Sequence, residues 1–244
     1  VPLIFLDATF TTLITAYPDV NNRSALADTV RIICYVVWWI FVTRVIAVYI
    51  LVIPLATCLS HQYKNLQCYF YSLNETFDRN NLSQNEKEEH YEKQFKVGIK
   101  FHSDTIRCTQ QIQSVCSGVF SLQIIFNIAL LVVLMAQTVK SERNLSNLCA
   151  TLITASAILI STGFFMWNAG DVTVEASHLS TAIYFSGWHN CRGPTSTRMR
   201  KLVSITMTHA QRPVVLKGLG YIGLSYQSYL RIVKSSYSVF SVLF

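Results

Sequence analysis

IICYVVWWIFVTRVIAVYILVIPLAT, residues 32–57, decides the fold. The stretch is longer than the roughly 20 predominantly apolar residues that carry an α-helix across a bilayer. Outward from it, similar windows run from Val115 to Val139 and from Leu148 to Trp167, with a weaker one from about Val214 to Phe244. The rest of the composition agrees: 51% of the 244 residues are hydrophobic and 14% are charged, and mean hydropathy is +0.35. A soluble domain of this size needs more polar surface to stay in water. The expectation is an all-α, polytopic membrane helix bundle with four spans in a lipid bilayer. The chain opens on Val1 with no Met and no charged segment followed by a cleavage site. No signal peptide is read there, and the expectation is a piece whose N-terminal part is missing.

Charge sets the orientation. Arg192, Arg198, Arg200, Lys201 and Arg212 lie in 190–213 without an acidic residue, whereas Lys140 and Arg143 are set against Glu142 in 140–147. The positive-inside bias puts 190–213 in the cytoplasm. Four spans then divide the chain into an extracellular loop region 1–31, a span 32–57 and a cytoplasmic helical linker 58–114. A span 115–139, an extracellular loop 140–147 and a span with a cytoplasmic extension 148–189 follow. The basic cytoplasmic loop and short helix 190–213 lead to a terminal span 214–244. The net charge of +7 is read as this topogenic signal rather than as a nucleic-acid footprint. Of the sequons at Asn22, Asn74, Asn81 and Asn144, only Asn22 and Asn144 are expected to face the lumen where glycans are added.

The linker reads as helix. Ser83 to Glu86 has capping-box spacing, and EKEEHYEKQFK (86–96) mixes signs at i, i+4 distances suited to a solvated face. Phe95, Ile99, Ile106, Ile112 and Val115 keep a helical period into the next span, and Val172, Ala176, Leu179 and Ile183 continue the 148–167 span past the membrane. A short amphipathic helix is expected near Thr197 to His209, with Pro213 interrupting the backbone after it. The seven cysteines are odd in number and contain no C-x-x-C pair, so neither a disulfide framework nor a zinc site is indicated. His189 and Cys191 lie close but lack a second pair of ligands. No metal or cofactor is expected.

The terminal span is unusual in its serines. Gln227, Arg231, Lys234, Ser238 and Ser241 follow one another at steps of 4, 3, 4 and 3, which puts them on one helix face. Charges within a span are costly unless they snorkel or meet water or a partner. One reading is a helix lining an aqueous pathway. The other is an ordinary span whose serines back-bond to their own helix and whose bases reach an interface.

The tail HAQRPVVLKGLGYIGLSYQSYLRIVKSSYSVFSVLF (209–244), taken back through NAGDVTVEASHLSTAIYFSGW (168–188), resembles the C-terminal part of an insect odorant receptor. The shared features are an alanine-glutamine-or-lysine-proline turn, a glycine, a serine-rich stretch and a terminal serine-tyrosine-serine before a phenylalanine. A helical linker carrying a histidine, here His102, precedes the 115–139 span as in that family. Tyr49 stands near where many members carry an aspartate.

The resemblance implies seven spans, of which this chain holds the fourth to seventh, with a cytoplasmic N-terminus and an external C-terminus. It implies a ligand-gated, non-selective cation channel subunit that forms a heterotetramer with odorant co-receptor subunits in the plasma membrane. Gln227, Arg231, Lys234, Ser238, Ser241 and Phe244 would line the pore, with the gate at Phe240 or Phe244, and the cytoplasmic helix extensions would anchor subunits to one another. Small volatile odorants would bind in the outer half of the bundle. There the 32–57 span offers Tyr35, Trp38, Trp39 and Val42, and the 148–167 span offers Thr151, Thr154 and Ala157. Apolar walls with one or two hydroxyls suit such ligands, although Trp38 and Trp39 also fit an interfacial belt.

Rival readings are weaker. A gustatory receptor channel of the same superfamily is the nearest, but the threonine-tyrosine and glutamine-phenylalanine ending typical there is missing. A membrane transporter would show paired broken helices or repeats. A G-protein-coupled receptor would carry N-P-x-x-Y in its last span. For an enzyme, Asp171, Glu175 and His178 form the one compact candidate, and they read as packing between helix extensions; no catalysis is expected.

Overall fold

The computed structural model describes residues 24–78, 82–140, 145–193, 195–218, 220 and 222–243. The expected sites at Asn22, Asn81, Asn144 and Phe244 lie outside these residues. The chain divides after Leu51 into two compact units.

The described part of the first unit is the beginning of helix α1, Ala25–Ser72. Ser24 starts the helix, its Oγ accepting from the Ala27 amide at 3.2 Å, as an N-cap serine does. Asp28 in the first turn pairs with Arg31 at 2.6 Å. Beyond it Ile32, Ile33, Val36, Val37, Ile40 and Ile46 are exposed. Such a continuous apolar surface fits hydrocarbon and not water.

The second unit contains the rest of α1, a 3-10 turn Leu73–Asp78, α2 (Gln84–Lys140), α3 (Leu145–Tyr184), a 3-10 turn Trp188–Asn190 and α4 (Ser196–Ala210). A two-stranded hairpin, β1 (Lys217–Gly218) and β2 (Ile222–Gly223), then leads to α5 (Tyr226–Leu243). At a rise of 1.5 Å per residue, the 57 residues of α2 extend roughly 85 Å and the 40 of α3 roughly 60 Å. The hydrocarbon core is only about 30 Å thick, so these helices run well beyond a bilayer. Among the described residues three helices, α1, α2 and α3, are long and apolar enough to cross one.

The core sits at the polar ends of the long helices. Tyr63, Leu66 and Phe70 of α1, Tyr91 and Phe95 of α2, Leu179 and Ile183 of α3, and Met199 of α4 are all buried. Phe70 and Phe95 meet edge to face with centroids 5.5 Å apart, and Phe77 leans on Tyr91 at 5.2 Å. Each such aromatic contributes roughly 1.5–3 kcal/mol by burial. The capping box is present: the Ser83 amide donates to Glu86 Oε2 at 2.9 Å and the Glu86 amide to Ser83 Oγ at 3.4 Å. The Ser83 amide, and then the Ser83 hydroxyl donating to the same oxygen at 2.8 Å, hold the Glu86 carboxyl below the usual range. Val172, Ala176, Leu179 and Ile183 are buried as a set, whereas Val115, expected to continue the packed stripe of Phe95, is 73% exposed. It opens the apolar stretch of α2, where lipid replaces protein as the neighbour.

The charged run 86–96 departs from the expected solvated face. Glu88 and Glu92 are 1% and 5% exposed, because partners from the 190–198 segment cover them. The stretch 214–244 also differs from one continuous helix. Pro213, Gly218, Gly220 and Gly223 are poor helix formers, and the chain turns instead into the antiparallel pair Lys217↔Gly223 and Gly218↔Ile222. Gly220 takes φ +77°, open to glycine, and a Cβ on Gly218 would stand 2.8 Å from Ile124 Cδ1. Leu216 and Leu224 are fully buried beneath the hairpin, so helix resumes only at Tyr226.

Candidate functional site

The site builds from α5 and its mounts. Ser225 opens the helix, its Oγ accepting from the Ser228 amide at 3.2 Å. One face is then tied down. The Tyr226 hydroxyl donates to Asp171 Oδ1 on α3, and the Tyr229 hydroxyl donates to the Leu159 carbonyl at 3.3 Å. The Tyr229 ring stands edge-on to Trp167 with centroids 5.9 Å apart, and Ile232 is buried. The hairpin ahead of α5 is fastened to α2 by one side chain: Gln113 Nε2 donates to the Lys217 carbonyl at 2.8 Å, and the Lys217 amide donates to Gln113 Oε1 at 2.6 Å.

The other face carries Gln227, Arg231, Lys234, Ser238 and Ser241, all exposed. Arg231 and Lys234 make no ion pair among the described residues, and Ser241 Oγ donates to its own helix at the Ser238 carbonyl, 2.9 Å away. Leu230 and Tyr237, 58% and 65% exposed, share this face. They follow Gln227 and Lys234 by three residues, a spacing legible in the sequence, but as apolar and aromatic side chains they fall outside the polar stripe.

The seven ligand-binding candidates fall in two sets. In the first unit Tyr35, Trp38, Trp39 and Val42 occupy one face of α1, with Tyr35 edge-on to Trp39 at 6.2 Å and Trp38 stacked on Phe41 at 6.3 Å. Tyr35 and Val42 are half-buried and the two tryptophans exposed. In the second unit Thr151 is half-buried and Thr154 and Ala157 are exposed along one side of α3. A polar contact that the sequence reading missed joins α2 to α3: Asn127 Nδ2 donates to Thr162 Oγ1 at 2.6 Å, both residues buried. Amide–hydroxyl bonds of this kind hold membrane helices together. The lone asparagine in the 115–139 window was its only signal.

Asp171, Glu175 and His178 do not converge on a common point. Asp171 receives Tyr226, Glu175 Oε2 receives Gln67 Nε2 at 2.9 Å, and His178 is exposed. Two of the three join helices, as their spacing suggested.

The strongest electrostatics lie at the junction of α2 and α4. Glu88 accepts from the Arg192 amide at 2.7 Å, from the Gly193 amide at 3.0 Å, from Gln84 Nε2 at 2.9 Å and from the Thr195 hydroxyl. Burial pushes its pKa up, but hydrogen bonds from Thr195, Gln84 and the two amides outweigh this and bring it down to about 2. Glu92 binds Lys96 at 2.6 Å and Arg198, and those partners lower its pKa. Tyr91 and Ser186 share a buried hydrogen bond of 2.7 Å. Cys191, buried beside these carboxylates, has its thiol pushed up to about 11, first by burial and then by Glu88 and Glu92, which leaves it unreactive at neutral pH.

Comparison with known proteins identifies relatives. A family model described as 7tm Odorant receptor matches residues 25–237. Odorant receptor 94a of Drosophila melanogaster is 25% identical over 77 residues, 32% of this chain and 19% of that protein. Odorant receptor Or2 of Anopheles gambiae is 24% identical over 154 residues, 62% of this chain and 38% of that protein. The matched part of the chain thus spans less than half the length of these relatives.

Proposed function

Because the chain belongs to the 7tm odorant receptor family, and is thus a multi-pass membrane receptor rather than an enzyme, we propose that it is part of an odorant-gated cation channel subunit. It works in the plasma membrane as a heterotetramer with odorant co-receptor subunits. The observation that carries this reading is the division of α5 into two faces. Tyr229 and Ile232 pack on the chain's own helices, while Gln227, Arg231, Lys234, Ser238 and Ser241 are left exposed. Taken as a membrane helix, α5 needs water or a partner opposite this polar face, and a central pore supplies the water.

In this reading the residues offered to an odorant are Tyr35, Trp38, Trp39 and Val42 on α1 and, taken by themselves, Thr151, Thr154 and Ala157 on α3. Burial of its apolar surface, at about 25 cal/mol per Å², supplies most of the affinity. Binding favours the open arrangement only by as much as the ligand prefers it. The gate at Phe240 or Phe244 closes by dewetting an apolar constriction, and the mounts at Gln113 and Asp171 transmit movement of α2 and α3 to α5. The test is to express the full-length receptor with and without the family co-receptor and record current against a panel of volatile odorants. Odorant-evoked cation current that requires both subunits is expected. A folded, surface-expressed pair that never conducts would sink the reading.

A further inference from the structure

A cavity of about 380 Å³ lies between α2 and α4, with Ile99, His102, Ile106, Leu202, Thr206 and His209 in its walls. His102 is only 6% exposed and forms no hydrogen bond among the described residues. The Thr206 hydroxyl is already committed to its own helix, donating to the Leu202 carbonyl at 2.7 Å. Burial, reinforced by the charge of His209, lowers the His102 pKa, so the ring is neutral and offers one donor and one acceptor nitrogen. The ring nitrogens of His102 are not among the fully buried unpaired atoms of the described residues, so they open onto the cavity, where water reaches them and a ligand group can take the water's place.

We propose that this cavity is a small-molecule site separate from the odorant-binding residues, taking a small, mostly apolar molecule with a single hydroxyl or carbonyl group that hydrogen-bonds His102. The size falls in the range of roughly 300–1,000 Å³ usual for such sites. Aliphatic walls from both helices would hold the apolar body. Among the described residues no Lys, Arg, Asp or Glu lines the cavity, which disfavours an ionic ligand. Two imidazoles fall short of the ligand set a metal normally takes, and no group of three metal-ligating side chains forms among the described residues. An occupant would touch α2 and α4 together and brace one against the other.

The inference needs no part of the channel reading, and its test reads binding rather than current. Full-length receptor, purified with its co-receptor, is photolabelled with a diazirine derivative of 1-octanol, and adducts are mapped by mass spectrometry. Adducts are expected within 99–106 and 202–209, suppressed at least tenfold by excess 1-octanol. Leu202→Trp or Ile106→Trp, which fill the cavity, should abolish them in protein that stays monodisperse. His102→Phe should weaken competition by 1-octanol about tenfold, the loss of one hydrogen bond. Absence of competable adducts in the unmodified receptor would overturn the proposal, as would labelling that survives both tryptophan variants. Zinc binding that disappears in His102→Gln, without alcohol labelling, would make the cavity a metal site and equally defeat it.

Discussion

At the scale of single residues, Glu88 has the clearest consequence. Glu88→Gln removes the charge and turns an N–H toward amides that themselves donate. The expected loss is about 2–3 kcal/mol, read as a lower melting temperature of the purified receptor. The folded pKa of about 2 lies below the ordinary 4.5, so the stabilisation is complete above about 4.5 and disappears as pH falls toward 2. Melting temperature followed from pH 8 to pH 5 should therefore show no pH-dependent change attributable to Glu88, and a drop that the glutamine variant lacks would contradict the assignment. Glu88 was visible in the sequence only as one charge in a mixed run. Its partners at Arg192, Gly193 and Thr195 lie 104 to 107 positions away, beyond the reach of local pattern, which reports i, i+4 neighbours and nothing more distant.

At the scale of elements, α5 and its hairpin divide what pattern could show from what it could not. Helical spacing located the exposed polar stripe of α5, though not Leu230 or Tyr237 beside it, and the short helix near 197–209, observed as α4, Ser196–Ala210. It did not show the break at 214–225, because hydropathy stays high through a stretch whose glycines turn the backbone. Two tests follow. Cysteines placed singly at Gln227, Arg231, Lys234, Ser238 and Ser241 should react with aqueous thiol reagents and change conductance, whereas one at Ile232 should not. Reaction at Ile232 equal to that at Arg231 would mean that α5 is rotated from the pose described. Gln113→Ala deletes both bonds to Lys217 and should cost about 1–2 kcal/mol. Because the hairpin leads directly into α5, the variant should also shift the odorant concentration for half-maximal current; a change in stability with no shift would limit Gln113 to scaffolding.

At the scale of the whole molecule, orientation and assembly can be checked. Glycosidase treatment should shift receptor mobility through Asn22 or Asn144 and never through Asn74 or Asn81, and glycan on either of the latter would invert the topology. In the proposed channel Arg231 and Lys234 would oppose cation flow through Coulomb repulsion, and co-receptor subunits without such bases would dilute them. The receptor alone should conduct little, and Lys234→Glu should raise the cation permeability of the heteromer, measured from reversal potentials. Robust cation current from the receptor alone would place these bases away from the pore. The distance along the chain between packed partners also has a consequence for synthesis. Gln67 waits for Glu175, Tyr91 for Ser186 and Glu88 for Arg192, separations of 108, 95 and 104 residues. Ribosomes add about 5–20 residues per second, so the faces of α1 and α2 remain uncovered for roughly 5–20 s while the later helices are still being made. During that interval the nascent chain presents to its surroundings aromatics that end up buried and a Glu88 carboxylate that still lacks its backbone donors.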